Sequence, residues 1–435
     1  MQYNKIIKNP FLLFLPFLII YVVIVFISPT EAKFGDETRY LIYAKHMLNW
    51  DSQYLDPNFE ILGNGPGYSI ILTPFLALGL PLICIALFNA VLFYFSTILL
   101  FKTLSRFASF RKTMLVCLFW SCYLNLYECM VRILPETFVA FLICLLIYVL
   151  SKAFYEVKYK KYVFFSGFII GYIALTKPIF GYVLSVVLIA TLIIWLLKRN
   201  SINHKRMLII LSISFCTTIP YLIYTYSLTN KVFYWSTFGG NNLYWMTSLS
   251  PNEYGNWFQD VNTDPTRSIA TMDTTASIGL GSRYNDYIIA DHRKDYEELN
   301  KFSGSQQDSV YKAIAMRNIK SNPVKFFKNC ISNVGRIVFN FPYSYKLEDP
   351  RTLIRLPFNG TILVLMFLSF FPAIKNWRRI DYPYRFLLLF TFVYLGGSVL
   401  GSAETRIFTV IVPILLVWIA YIVQRTIKLS VKQWW

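Results

Sequence analysis

This sequence is short of charge, short of acidic residues and almost devoid of histidine. Of its 435 residues only 15% are charged, with 23 Asp and Glu, 42 Lys and Arg, and three His. Soluble domains carry about 25% charged residues, and here 56% of residues are hydrophobic. The composition therefore indicates a chain that is solvated by lipid.

Cysteine and histidine are also too few and too scattered to build a covalent or metal-bound framework. Six of the seven cysteines fall in or beside apolar runs, and only Cys330 lies in a long polar segment. A single cysteine cannot form a disulfide there, and no Cys/His cluster predicts a zinc site. His46 and His292 have no partner that the sequence identifies.

Long uncharged runs are what the sequence does contain, and each predicts a membrane-spanning helix because about 20 apolar residues cross the hydrocarbon layer. Six such runs are Phe11–Ser28, Pro178–Leu197, Met207–Asn230, Leu356–Ile374, Phe386–Ala403 and Ile407–Gln424, and three shorter ones are Thr113–Tyr127, Thr137–Ser151 and Tyr162–Thr176. Tyr68–Phe101 would reach about 51 Å as one helix, too long for an upright span. Gly79-Leu80-Pro81 breaks it, so we expect a short interfacial or re-entrant piece followed by one span, about ten spans in all.

The distribution of charge supports ten spans, with both termini on the same side. Segments 1–9, 102–112, 152–161, 198–206, 375–385 and 425–435 then share one face and hold 21 basic residues against two acids, Glu156 and Asp381. An excess of Lys and Arg marks cytoplasmic loops, so we expect a multi-pass protein of the cell membrane with cytoplasmic termini. The basic balance thus reflects topology and anionic lipid rather than nucleic acid.

We expect an all-α architecture with three parts. Residues 1–230 form an N-terminal transmembrane module with a first outer loop at 29–67, residues 231–355 form a large extracytoplasmic loop, and residues 356–435 supply the last spans. Within the large loop, residues 308–339 place apolar residues at helical spacing around a break at Asn322-Pro323, which predicts two amphipathic helices on the membrane surface. No internal repeat supports a transporter built from inverted repeats.

An acidic pair follows the first span. Asp36 and Glu37 begin a segment in which Tyr40, Tyr43 and Met47 share a helical face. Carboxylates are favoured at a helix N-terminus by the helix dipole, and a simple N-cap would account for Asp36 alone. From the pattern by itself, a functional pair and a cap remain equally open.

Five further motifs follow in order, and together with the acidic pair they carry a resemblance. They are Gly65-Pro66-Gly67-Tyr68, Arg132-Ile133-Leu134-Pro135-Glu136, Gly171-Tyr172-Ile173-Ala174-Leu175-Thr176-Lys177-Pro178, Gly239-Gly240-Asn241-Asn242-Leu243-Tyr244 and Glu404-Thr405-Arg406 with Pro413. Over residues 34–413 the sequence resembles GT-C type membrane glycosyltransferases that use polyprenyl-phosphate sugars, the protein O-mannosyltransferases and lipid A aminoarabinose transferases. The resemblance implies a GT-C fold with juxtamembrane helices in the first outer loop.

The resemblance also implies roles for individual residues. Asp36 would be the base that takes a proton from the acceptor hydroxyl, with Glu37 orienting it or aiding acceptor binding. Cations would stabilise the departing phosphate. The phosphate-binding set is Arg39, Arg132, Lys177 and Arg406, and the substrate-binding set is Tyr40, Tyr68, Glu136, Asn242, Tyr244 and Glu404. Structural alternatives stay open: Lys177 and Arg406 could snorkel at span ends, and Arg132 could bridge to Glu128 or Glu136.

Two features qualify the resemblance. Aminoarabinose transferases carry a basic residue just before the proline element, whereas this chain has Asn64-Gly65 there, so the phosphate must be held by other residues. Asp36 and Glu37 have the ligand type that Mg²⁺ or Mn²⁺ prefers, but relatives with monophosphate donors mostly work without a metal. We therefore assign no metal ligand.

The resulting functional prediction is an inverting glycosyltransferase that moves a sugar from a polyprenyl-phosphate donor to a glycan, lipid or protein hydroxyl outside the cytoplasm. A surface-polysaccharide polymerase or ligase is the first alternative, and it would depend on outer-loop arginines such as Arg283 or Arg293 instead of Asp36. A transporter is the second, and it would place ionisable residues inside the spans and not at their ends.

Overall fold

The computed structural model describes residues 9–28, 35–49, 60–197, 201–256, 292–344 and 351–425. Within these ranges the regular structure is entirely helical. The all-α prediction is therefore confirmed for the described part of the chain.

Sixteen α-helices are labelled α1 to α16 in chain order. The first eight are α1 (Pro10–Ile27), α2 (Asp36–Asn49), α3 (Pro66–Ala77), α4 (Ile83–Leu104), α5 (Phe110–Ser121), α6 (Leu124–Met130), α7 (Glu136–Tyr155) and α8 (Lys160–Thr176). The next eight are α9 (Ile179–Leu197), α10 (Ile202–Thr229), α11 (Gly239–Met246), α12 (Gly304–Ser321), α13 (Pro323–Phe339), α14 (Arg351–Lys375), α15 (Tyr382–Val399) and α16 (Arg406–Arg425). Short 3₁₀ turns occur at Glu60–Gly63 and Trp377–Arg379.

Seven of the described helices are long and apolar enough to cross a membrane: α1, α4, α7, α9, α10, α14 and α16. They coincide with seven of the ten predicted spans. Two other predicted spans form helices that fall just short, since α8 has 17 residues and α15 begins with a polar and aromatic first turn. The predicted break at Gly79-Leu80-Pro81 is present, because α3 ends at Ala77 and α4 begins at Ile83.

The predicted span at 113–127 is wrong as a single helix. The chain there forms α5 and α6 with an interruption after Ser121. The Ser121 carbonyl accepts hydrogen bonds from the hydroxyls of Tyr21 (2.9 Å) and Tyr127 (2.7 Å). The Ser121 carbonyl would otherwise accept a hydrogen bond from an amide of the next helical turn. Because the two hydroxyls satisfy it instead, the helix ends here.

The core of the bundle lies along α7 and α16. In α16, 83% of the most apolar window is buried, against 17% in α1, so α16 is enclosed by protein while α1 faces lipid. Helix α7 packs against α4, α8 and α16. Helices α8 and α10 approach closely at Gly167 and Gly171, where a Cβ would lie 2.7 Å from the Ile210 carbonyl oxygen and 2.6 Å from that of Ser214, as in membrane helix pairs that use small residues.

The predicted pair of amphipathic helices is present as α12 and α13, and they meet at the predicted break. Asn322 caps α13 by accepting a hydrogen bond from the Lys325 amide (3.0 Å), and Pro323 occupies the first helical position. The exposed apolar side chains of α13 recur at three- and four-residue spacing, at Val324, Phe327, Ile331 and Val334. Such a stripe suits a helix at a membrane surface.

Candidate functional site

Helix α2 brings the acidic pair to one end of the bundle. Asp36 and Glu37 form its first turn, and Glu37 is 1% exposed. Ser69 of α3 donates a hydrogen bond to the Tyr40 carbonyl (3.0 Å), and the Tyr40 and Tyr68 rings meet edge to face at 5.2 Å. The predicted substrate residues Tyr40 and Tyr68 are therefore buried against each other and fix α2 on α3.

Asp36 lies between two arginines. Arg406 Nη1 is 2.5 Å from Asp36 Oδ2, and Arg39 Nη2 contacts Asp36 Oδ1. Burial alone would raise the pKa of the Asp36 carboxyl, but the charges of Arg406 and Arg39 outweigh burial and hold that pKa well below its usual range. In this arrangement Asp36 is ionised and is a weak base.

Arg406 extends the cluster to α7 and α8. Its guanidinium is 3.1 Å from Glu404 and 3.9 Å from Glu136, and Glu136 pairs with Lys177 at 2.8 Å. Glu136 is fully buried, and its second oxygen, Oε2, has no hydrogen-bond partner within the described residues. Lys177 and Arg406 therefore form ion pairs at this end of the bundle. The structural alternative was that both side chains only extend to the membrane surface at the ends of their spans.

Arg132 holds the second carboxylate of the pair. Its Nε lies 2.5 Å from Glu37 Oε1, while its side chain is 51% exposed. The bridges to Glu128 or Glu136 that the sequence allowed are wrong, because Glu128 pairs with Arg355 (2.7 Å) and Glu136 with Lys177. Arg132 is consequently the most open cation of the four that were predicted to bind phosphate.

Two predicted motifs pack directly on each other. A Cβ at Gly65 would lie 2.1 Å from the Leu175 carbonyl oxygen, and one at Gly67 would lie 2.4 Å from Thr176 Oγ1. The Tyr172 hydroxyl donates to the Gly67 carbonyl at 2.8 Å. Only glycine lets the backbones approach this closely, and the contact fixes the end of α8 that carries Lys177.

The segment after α10 packs against the site. Ser236 Oγ donates to the Gly63 carbonyl (2.8 Å), and the Phe238 ring lies 4.7 Å from the Arg39 guanidinium. The Asn242 carbonyl accepts from the Ser402 amide (3.1 Å), which places α11 beside the turn that leads to Arg406.

Tyr244 lies in a different environment from the other predicted residues. It is 1% exposed, and its hydroxyl is bonded to His292 Nδ1 (2.5 Å) and Asp295 (3.1 Å). His292 in turn contacts Glu253 at 3.0 Å, so this histidine has partners that the sequence did not identify. In this structure Tyr244 packs the core of the large loop, and a direct contact with substrate has no geometric support.

Sequence reasoning missed Asn333, which holds the turn before Arg406. Asn333 is fully buried in α13. Its Nδ2 donates to the carbonyls of Ser398 (3.2 Å), Val399 (3.1 Å) and Gly401 (2.6 Å), and its Oδ1 accepts from the Ala403 amide (3.2 Å). Only the surrounding α13 pattern was visible in the sequence, and an asparagine on a surface helix gives no signal of this role.

The carboxylates of the site do not fit a divalent cation. Both oxygens of Asp36 contact arginines, and Glu37 pairs with Arg132. Within the described residues no group of three or more His, Cys, Asp or Glu side chains is arranged to hold a metal ion.

The cluster balances its own charge. Four acids, Asp36, Glu37, Glu136 and Glu404, face the four cations predicted to bind phosphate: Arg39, Arg132, Lys177 and Arg406. An anion that draws one of these cations away from its carboxylate makes that carboxylate a stronger base. Of the arginines named for the polymerase alternative, Arg283 lies outside the described residues, and Arg293 is exposed at the start of helical residues 292–299.

No family model and no curated protein matches this chain. Two crystal structures of ArnT from Cupriavidus metallidurans are similar to it, one bound to undecaprenyl phosphate and one in the apo state. The first is 12% identical with a TM-score of 0.42, and the second 11% identical with a TM-score of 0.41. Each alignment covers 94% of this chain and 77% of the other. Similarity at these values assigns no function to this chain.

Proposed function

We propose that this protein is a membrane glycosyltransferase that moves a sugar from a polyprenyl-phosphate donor to an acceptor hydroxyl at the outer surface of the cell membrane. The observation that carries the proposal is Asp36 held between Arg39 and Arg406, at the same end of the bundle as the buried Glu136–Lys177 pair. These residues come from distant segments, and each belongs to a motif that resembles the polyprenyl-phosphate-dependent family.

The reaction begins with an exchange of partners. The donor phosphate binds to Arg132, whose side chain is half exposed, and competes with Asp36 for Arg406. When Arg406 turns to the phosphate, Asp36 loses the cation that contributes most to its low pKa, and its basicity rises. Binding of the donor thereby activates the base.

The bond changes then follow in one displacement. Asp36 takes the proton of the acceptor hydroxyl, the acceptor oxygen forms a bond to the anomeric carbon, and the bond from that carbon to the phosphate oxygen breaks. Polyprenyl phosphate leaves with the electron pair of that bond, and its charge is stabilised by the guanidiniums. A single displacement inverts the anomeric configuration.

The outer side of the membrane is part of the proposal and is supported by charge. The site lies at one end of the bundle, whereas Arg106, Lys112, Glu156 and Arg425 lie at the other. The second end receives the predicted excess of basic residues, which marks the cytoplasmic face of membrane proteins.

Transfer of label from polyprenyl-phosphate sugars by membrane fractions tests the proposal. Asp36→Asn should lower the transfer rate by about 10²- to 10⁴-fold because a general base is removed. The matched control is Asp295→Asn, since Asp295 also pairs with an arginine (Arg317, 3.0 Å) but lies in the large loop. Full transfer by Asp36→Asn with equal expression would overturn the proposal, and a requirement for Arg293 instead would favour the polymerase.

A further inference from the structure

A second polar cavity lies at the opposite end of the bundle from Asp36. It has a volume of about 250 Å³ and is lined by Arg106, Phe107, Tyr155, Asp381, Tyr384, Tyr421 and Arg425. We call it the Arg425 cavity. Its walls come from the ends of α4, α7, α15 and α16, so it opens where the bundle meets the membrane surface.

The walls of the Arg425 cavity are largely aromatic. The Tyr384 and Tyr421 rings are 4.5 Å apart, and Phe107 meets both edge to face at 5.6 and 5.3 Å. Tyr384 is buried, and its hydroxyl makes no hydrogen bond within the described residues. The Tyr384 hydroxyl is therefore a donor at the wall that none of the described residues uses.

One of the two arginines is also available. Arg106 donates to Ser151 Oγ and Glu156 Oε1, both at 3.0 Å. Arg425 has no carboxylate within 4 Å in the described part of the chain. The remaining charged wall residue, Asp381, accepts a hydrogen bond from the Tyr155 hydroxyl.

We propose that the Arg425 cavity binds the phosphodiester headgroup of an anionic phospholipid in the membrane leaflet at that end. The charge of Arg106 is already balanced by Glu156 (3.0 Å), so Arg425 is the lining cation that remains for a ligand, and its single positive charge matches a singly charged phosphodiester. Free phosphate carries more charge than this at neutral pH. Basic pockets between membrane helices are a known way of binding lipid headgroups, and the basic segments at this end draw anionic lipid towards the cavity. The inference is independent of the reaction proposed at Asp36.

Lipid binding to the purified full-length protein in detergent tests this assignment, by native mass spectrometry and by the shift in melting temperature. The probes are phosphatidylglycerol, phosphatidylcholine and inorganic phosphate. Phosphatidylglycerol should bind and stabilise the wild type most. Arg425→Gln should weaken its binding roughly fivefold, as expected for one basic side chain at a membrane surface, and Tyr384→Phe should weaken it without disturbing the aromatic packing.

The matched control is Arg111→Gln, because Arg111 is exposed at the start of α5 near the same end and does not line the cavity. It should bind phosphatidylglycerol as the wild type does. Equal losses in Arg111→Gln and Arg425→Gln would indicate only a diffuse positive field and overturn the proposal. Stabilisation by inorganic phosphate alone, or equal binding of phosphatidylcholine, would also overturn it.

Discussion

The contact between Asp36 and Arg406 should stabilise the fold by a measurable coupling energy. Two unit charges about 4 Å apart interact by about 4 kcal/mol at an effective dielectric constant of about 20, and by about 1 kcal/mol in bulk water. The two side chains are 19% and 31% exposed, which places the pair between these limits. We therefore expect a coupling of about 2–3 kcal/mol at neutral pH.

A double-mutant cycle with Asp36→Asn, Arg406→Gln and the double variant isolates this coupling from the contacts of Arg406 with Glu404 and Glu136. The quantity to measure is the free energy of unfolding of the purified protein in detergent. A coupling below about 0.5 kcal/mol, the usual value for an exposed pair, would refute the geometry.

The pH dependence gives the same prediction a second check. The pKa of Asp36 is lowered in the folded protein, so the pair stabilises fully above the pKa of the unfolded chain, about 3.9. This contribution is lost only as pH falls through the lower, folded value. The coupling should thus be constant from pH 7 to pH 5 and decline below about pH 4. A decline already between pH 7 and pH 5 would mean that Asp36 titrates in that range and that its pKa is raised, which contradicts the geometry.

Two further substitutions probe the supports of the site. Gly65→Ala should destabilise the protein by about 1–3 kcal/mol and lower transfer, because its Cβ meets the Leu175 carbonyl. The control Gly396→Ala has open space around it and should change the free energy of unfolding by less than about 1 kcal/mol. Equal effects of the two variants would contradict the packing of Gly65 on Leu175. Asn333→Ala should lower the free energy of unfolding by about 3 kcal/mol, because it leaves buried carbonyls unsatisfied. Asn333→Asp removes the donor at nearly constant shape and should lower the free energy of unfolding by a similar amount. Wild-type stability of Asn333→Asp would exclude a role of Asn333 in holding the turn.

Much of the fold follows from local signals in the sequence. Apolar runs of 18 to 24 residues predict spans because lipid fixes their length. The breaks at Gly79-Leu80-Pro81 and Asn322-Pro323 come from backbone chemistry within the segment itself. The interruption after Ser121 was not predictable, because it depends on hydroxyls of Tyr21 and Tyr127 that reach the carbonyl from elsewhere.

The candidate site likewise contains residues that the sequence could identify and contacts that it could not. Residues in recognisable motifs, such as Asp36, Lys177 and Arg406, could be named from the sequence, but their pairing could not. Arg132 shows why: the sequence offered two nearby acids, and the fold supplied Glu37, 95 residues away. The role of Asn333 could not be predicted, because its partners are backbone groups, which every residue carries.

The most direct test of the central claim compares binding of undecaprenyl phosphate with sugar transfer in the same Asp36→Asn protein. If the lipid phosphate takes Arg406 from the Asp36 carboxylate, removing that carboxylate should tighten binding by about tenfold, the equivalent of about 1.4 kcal/mol, while transfer is lost. Arg406→Gln should weaken both. Unchanged or weaker binding to Asp36→Asn, with transfer retained, would contradict the account.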